Sequence, residues 1–242
     1  MKQVLWLALL LISSVGLAAV SGIITNGARD KPRIALTFDA DMTPGMNFNL
    51  ESGKVKSYNN TKIYALLEKY KLKATFFLTG MWIELYPDQV KAFVQNPRYE
   101  LENHSYSHPG FLQPCYGLSS IAEKLKAAQI TKTKALLEKY GVKNKYFRFP
   151  GGCASQNDVA LVNKLGLEVV HWDVIGQDGG ATNAQSIVNH VLNGVKNGSI
   201  IVLHSHGGPK VRFTDMALEQ IIPVLLKRGY QFVKLEELLQ TH

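Results

Sequence analysis

The sequence predicts an α/β fold in which parallel strands, each joined to the next by a helix, form a sheet of the kind that suits a barrel. Three observations point there. Short apolar strands alternate with amphipathic helical stretches along the chain. The segment ALLEKY occurs at 65–70 and again at 135–140, each time downstream of Thr-Lys and ahead of a strand. Repeated units suit a barrel, although any amphipathic helix feeding a strand looks similar. Lastly, the unusual polar residues fall at the carboxyl ends of strands, the face that forms the active-site mouth of such barrels.

The elements follow in order. Residues 33–38 (RIALTF) form the first strand. Helix 61–71 leads into strand 73–79 (KATFFLT). Pro87 opens a helix over 87–96, since proline suits a first helical turn. Strand 99–103 follows, then a long helical stretch over 118–140 and strand 145–149. Helix 156–165 is stopped by Gly166 and feeds strand 167–172. Helix 184–196, strand 199–203 (SIIVL), helix 215–227, strand 230–233 and a short closing helix complete the pattern. Between the first strand and the first helix, 42–60 is rich in Asn, Gly, Ser and Pro and lacks an apolar period. Such a loop is either a rim segment that contacts substrate or a flexible insertion.

The chain has 242 residues, 46% apolar and 19% charged, which is globular composition. Its start stands apart. Lys2 gives a positive flank, 4–12 is an apolar run, and Ala18, Ala19, Val20 and Ser21 are small residues suited to leader cleavage. The expectation is a signal peptide over 1–21 and export to the periplasm or medium. An uncleaved anchor is the rival, and the only membrane contact the sequence suggests. The net charge of +8 fits attraction to anionic envelope polymers. The lysines are spread over helices without interleaved aromatics, so nucleic acid is not an expected partner.

The polar residues suggest a metal site. His104 and His108 follow the third strand with a spacing that, on a helical turn, lets both face one ion. Asp39 and Asp41 follow the first strand, Arg148 the fourth, Asp173 and Asp178 the fifth, and His204 the sixth. Two imidazoles and a carboxylate leave positions for water and substrate, the arrangement of a catalytic site. Zinc is the default ion; cobalt, nickel or iron accept the same donors.

Phe38-Asp39, the run HSYSHP at 104–109, Arg148-Phe149-Pro150, the region of Asp178 and Leu203-His204 resemble the ordered motifs of polysaccharide deacetylases. This is the NodB-homology group, carbohydrate esterase family 4. The resemblance spans about 31–240 and implies a single domain of about seven βα units. It implies a distorted (β/α)7-type barrel and removal of acetyl groups, N-linked or O-linked, from sugars of an extracytoplasmic polysaccharide; the chain is expected to be a monomer. Asp39 resembles the general base, held by Arg148, and His104 and His108 resemble metal ligands. His204 resembles the general acid, oriented by Asp178. A backbone N–H near Gly151 resembles the oxyanion donor, and Pro150, Trp172 and Leu203 border the substrate. Alternatives are the same fold acting on a small non-sugar amide, or an inactive sugar-binding relative.

Three positions depart from the family pattern. The usual Asp-Asp pair is Asp39-Ala40-Asp41 here. The first expectation is that Asp39 stays the base and Asp41 becomes the third ligand. Otherwise Asp39 binds the metal and Asp41 supports it through hydrogen bonds, or Asp41 merely caps a turn. Gly151 stands where an aromatic is common, and Ile175 and Gly179 stand where Asp and Trp are usual. Both losses open the site. Elsewhere, His171 and Trp172 read as packing or cleft wall, and His206 as a second cleft histidine or a loop residue. His190 reads as helix surface and His242 as tail. The only two cysteines, Cys115 and Cys153, lie past two neighbouring strand ends and are either bridged or free.

Overall fold

The computed structural model describes residues 22–240, so the leader expected over 1–21 lies outside the described residues. A nine-stranded sheet contains β1 (Ile23–Ile24), β2 (Arg33–Ala40), β3 (Ala74–Leu78), β4 (Tyr99–Asn103), β5 (Tyr146–Phe147), β6 (Glu168–Val170), β7 (Val174–Ile175), β8 (Ile200–His204) and β9 (Gln231–Val233). Every ladder between these strands is parallel. The order is β1-β6-β5-β4-β3-β2-β8-β7, with β9 paired to the first residues of β2. The seven expected strands are all present.

The helices are α1 (Pro44–Glu51), α2 (Thr61–Lys69), α3 (Gly80–Leu85), α4 (Pro87–Gln95), α5 (Glu123–Lys139), α6 (Gln156–Lys164), α7 (Ala184–Gly194), α8 (Thr214–Lys227) and α9 (Leu235–Leu239). Local chemistry explains their starts. The Asn60 side chain accepts from Lys62 N, Asn183 from Ser186 N, and Ser155 with Asp158 forms a reciprocal cap. Among the described residues no helix is long and apolar enough to cross a membrane.

Alternation along β2 sorts the interior. Ile34, Leu36, Phe38 and Ala40 face outward into the main core, with Ile63, Leu67, Phe93, Leu218 and Ile222. The alternate residues Ala35, Thr37 and Asp39 therefore face the barrel interior. That interior is apolar at its lower end, where Ala35, Phe77, Tyr146 and Ile200 cluster with Leu235 and Leu238 of α9. Higher up it becomes polar. A parallel sheet covered on both faces gives this sandwich of apolar floor and polar mouth.

Three expectations need correction. The stretch 42–60 is not a bare loop: Thr43 caps α1 by accepting from Met46 N, and Tyr58 is buried. Its lack of an apolar period reflects a helix with no buried residue, so periodicity had nothing to report. The long helix starts at Glu123, because Gly110 and Ser120 form a bridge that holds the preceding residues in a loop. The strand expected at 167–172 breaks after Val170 and resumes at Val174, pairing β5 with its first part and β8 with its second. One stretch of chain thus supplies a strand near each end of the curled sheet.

Candidate active site

The mouth is built from strand ends in register. Asp39 lies beside His204 on β8 and Phe77 on β3. β2 ends at Ala40, so Asp41 is the first residue beyond the ladder, yet it still points inward. Both carboxylates meet His104: Nε2 lies 3.6 Å from Asp39 Oδ2 and 3.5 Å from Asp41 Oδ1. His108 Nε2 is 3.3 Å from the same Asp41 oxygen.

The two histidines are not on a helical turn, contrary to expectation. Ser105 (φ 66°) and His108 (φ 58°) are left-handed, which folds 104–108 into a tight loop with the rings 4.9 Å apart. Side chains of α5 hold the loop. Gln129 Oε1 accepts from Tyr106 N and Ser107 N, and the Thr133 hydroxyl donates to Ser105 O. Glycine is needed at position 80, where a Cβ would sit 2.3 Å from the Tyr106 ring. The i, i+4 pair Gln129 and Thr133 was the sequence signal for this support, but nothing in it pointed to a loop rather than to solvent.

Arg148 is fully buried. Its Nη1 donates to Asp39 Oδ1 at 2.7 Å and to Thr37 Oγ1 at 2.9 Å. Nη2 donates to His171 O and Nε to Val170 O, at the break between β6 and β7. The guanidinium stacks over Phe77 at 3.9 Å. Its backbone carbonyl lies 2.8 Å from His104 Nδ1. A carbonyl only accepts, so Nδ1 carries a proton, and in the neutral ring Nε2 is the lone pair aimed into the site.

His204 is held from behind. Asp178 Oδ1 is 2.8 Å from its Nδ1, and Asp178 Oδ2 accepts from His204 N and the Thr214 hydroxyl. His204 Nε2 and His206 Nε2 each lie 3.7 Å from Asp41 Oδ2. His206 is therefore a cleft residue. The signal was there in His-Ser-His at 204–206, two residues apart at a strand end. Asp173 does not join the group. Its carboxylate accepts from Ile200 N and Ser199 Oγ and pairs with Arg29, all at the amino end of β8. The strand break carries it to the far end of the barrel.

Electrostatics mark the mouth as a place for positive charge. Burial alone would raise the Asp41 pKa, but His108, His204, His104 and His206 hold it well below the usual carboxylate range. Burial likewise pulls His204 down, and Asp178 and Asp41 override it and lift the imidazole to about 10. His104 behaves the same way, raised by Asp39 and Asp41 against burial. His206 is lowered to about 4, chiefly by burial, and so is neutral.

The residues fit a divalent ion. One donor atom from each of Asp41, His104 and His108 lies within 4.8 Å of the others. Asp41 Oδ1 and His104 Nε2 are buried and have no hydrogen-bond partner. Unpaired buried polar atoms are expensive, and two facing each other call for something between them.

The wall beside the mouth comes from the turn after Arg148. Pro150 is buried, and Cys115 and Cys153 are joined by a disulfide with Cα atoms 5.9 Å apart. The bridge ties the loop after His108 to the loop after Pro150. It also explains Gly151, whose φ is +62° and whose Cβ would meet Cys115 Sγ at 2.7 Å and the Tyr116 ring at 3.2 Å. Tyr116 is 89% exposed. A Cβ on Gly152 would meet Trp172 at 2.9 Å, so the two glycines run between two aromatic rings. Trp172 also lies 5.6 Å from the Arg148 guanidinium. Leu203 is fully buried in the main core, with its side chain filling the space a Cβ on Gly176 would need. It supports the mouth from outside instead of lining it openly. Gly179 leaves a gap against His204, where a Cβ would sit 3.5 Å from the ring. Ile175 is exposed. His190 lies exposed on α7, and His242 falls outside the described residues.

A parallel curled sheet with two carboxylates, an arginine and four histidines at its mouth is an arrangement suited to a hydrolase. The polysaccharide deacetylase family matches residues 26–170, and the chain belongs to that family. It is similar to a peptidoglycan-N-acetylglucosamine deacetylase of Bacillus cereus, 32% identical over 217 residues, covering 89% of this chain and 71% of that one. A crystal structure of a peptidoglycan N-acetylglucosamine deacetylase superposes with a TM-score of 0.77 at 29% identity, covering 91% of this chain and 94% of that one. A mutant of a carbohydrate esterase family 4 pseudoenzyme from Bacillus anthracis, with restored enzymatic activity, matches at a TM-score of 0.72 and 25% identity, over 90% of this chain and 71% of that one.

Proposed function

We propose that this chain hydrolyses the acetamide of N-acetylated amino sugars in peptidoglycan or a related extracytoplasmic polysaccharide, with a divalent metal held by Asp41, His104 and His108. One observation carries the reading: the bare, buried atoms Asp41 Oδ1 and His104 Nε2 face each other beside Asp39. The relatives' substrates supply the polymer. Export is supported by the disulfide, which persists in oxidising compartments.

The bound ion, with zinc the first to test, supplies Lewis acidity and a water of lowered pKa. The chain's own residues do the rest. Arg148 occupies Asp39 Oδ1 and leaves Oδ2 facing the site, where it takes the proton of the attacking water. Asp178 and Thr214 fix His204 so that Nε2 points inward, holding the proton for the leaving amine. The Gly151 N–H is assigned to the developing oxyanion. Trp172 and Tyr116, on either side of Gly151 and Gly152, give a sugar ring two aromatic faces to lie against.

The test is acetate release from intact peptidoglycan and from a chitin-type oligomer, with and without a chelator, alongside an O-acetylated xylan. Release from the N-acetylated substrates, abolished by chelator and restored by zinc, is expected. Release from the xylan alone would move the reading to esters, and none from any would end it.

A further inference from the structure

His206 has a place in the mouth that the reaction as described does not use. It is buried, and its ring is seated by the segment that precedes α2. Tyr58 lies 6.0 Å away, ring to ring, and Asn60 N donates to Ser205 O. Gly207 and Gly208 pass so close to Asn60 and Tyr58 that a Cβ would sit 2.8 Å and 2.5 Å from them. The backbone that carries the ring is therefore packed tightly against this segment.

Its tautomer follows from one hydrogen bond. Gly208 N donates to His206 Nδ1 at 3.2 Å, so Nδ1 is the acceptor and the proton sits on Nε2. That Nε2–H lies 3.7 Å from Asp41 Oδ2. The two oxygens of Asp41 thus have different neighbours. Oδ1 faces Nε2 of His104 and His108, and Oδ2 faces Nε2 of His204 and His206. Asp41 needs such a hold, because it lies past the last residue of β2 and no ladder fixes it.

We propose that His206 is a positioning residue whose Nε2–H faces Asp41 Oδ2 at 3.7 Å, beyond hydrogen-bond distance, and whose electrostatic pull keeps Oδ1 turned to His104 and His108. The proposal rests on the reading of Asp41 as metal ligand. It gives the Asp39-Ala40-Asp41 arrangement a compensating partner: a carboxylate beyond the strand is steered by a histidine from the neighbouring strand's end. It also excludes a second ion on Oδ2, which would need a bare Nε2 on His206.

Zinc affinity of the full chain, measured by competition with a chromophoric chelator, tests this without reference to activity. His206→Ala should bind zinc about 10–100-fold more weakly, still one ion per chain. His206→Gln, whose amide N–H can reach the same oxygen, should recover most of that loss. The zinc-free forms should unfold at similar temperatures. Should the alanine variant not fold, His206→Phe, which keeps a ring against Tyr58, replaces it with the same expected loss. Parental affinity in the variant lacking the N–H overturns the proposal, as does a parent that binds two ions where the variant binds one. An Asp41→Ala chain with unchanged zinc affinity overturns instead the ligand reading beneath it.

Discussion

Two carboxylates, Glu102 and Asp41, are both buried in this barrel and are driven in opposite directions. Glu102 lies toward the floor. Burial first, and then the neighbouring Glu100, push its pKa well above the usual range. Its Oε2 accepts from Lys145 N and Tyr146 N, so it pins the start of β5. Nearby, Thr75 donates to Glu100, and Lys145 pairs with Glu236. Asp41, at the mouth, is held well below the usual range by four histidines that outweigh burial. The floor satisfies Glu102 with backbone N–H groups, and burial there disfavours its charge. The mouth keeps its carboxylate charged and leaves one oxygen without a partner. Burial is common to both; the neighbours decide whether a buried acid serves structure or chemistry.

The sharpest way to break that contrast is at the two aspartates of the mouth. Asp39→Asn should lower kcat by about 10³-fold, within the range for a lost general base, while zinc stays bound. Asp41→Ala should lose zinc and turnover together. Equal metal loss in both variants, read by metal analysis after dialysis, would dissolve the division of labour between them.

Next in size is Asp178→Asn, expected to cost about 10–100-fold in kcat. The acid role proposed for His204 requires it to be protonated, and its pKa is lifted to about 10 against burial, with Asp178 the foremost cause. Removing that charge lowers the pKa, so the alkaline limb of the kcat/KM profile should move to lower pH. A limb that stays in place would take His204 out of the acid role.

The floor gives a smaller effect of another kind. The folded pKa of Glu102 is raised, so its contribution to stability is full below about pH 4.3 and is lost as pH rises toward the folded value. Glu102→Gln keeps an acceptor for β5 and cannot ionise. Its Tm at pH 8 should exceed the parent's by about 2–4 °C, the shift about 1 kcal/mol makes in a domain of this size. The gain should vanish near pH 4, with deacetylation unchanged. A gain at both pH values would show that charge was not the cause.

Smallest is Tyr116→Ala at the rim, where KM for a polymeric substrate should rise about 3–10-fold at constant kcat, the loss of one stacking contact. An unchanged KM would confine the substrate to the Trp172 side.

The floor and mouth were not equally legible in the sequence. Strands such as RIALTF and SIIVL announce themselves because both faces are buried. Asp39, His104, His108, Arg148, Asp178 and His204 could be placed at one end because each comes just after a segment that reads as a strand. Asp173 follows one too, and was misplaced, because the break after Val170 depends on Arg148 taking carbonyls from a distant loop. The 104–108 loop was misread as helical, since left-handed Ser105 and His108 carry no sequence mark as a glycine would. The role of Glu102 was invisible, because a glutamate on a strand reads the same whether it meets water or backbone.

Where the chain breaks between β6 and β7, the carbonyls of Val170 and His171 meet a guanidinium in place of a neighbouring strand. The same group orients Asp39. Lysine, with one compact ammonium, cannot reach strand and carboxylate together. A descendant of this chain that gave up deacetylation would still need Arg148 to hold its wall shut. The arginine would then outlive the chemistry. In judging whether a related barrel is alive or dead, Arg148 is a poor witness, and Asp41, whose Oδ1 has no hydrogen-bond partner in the scaffold, is a good one.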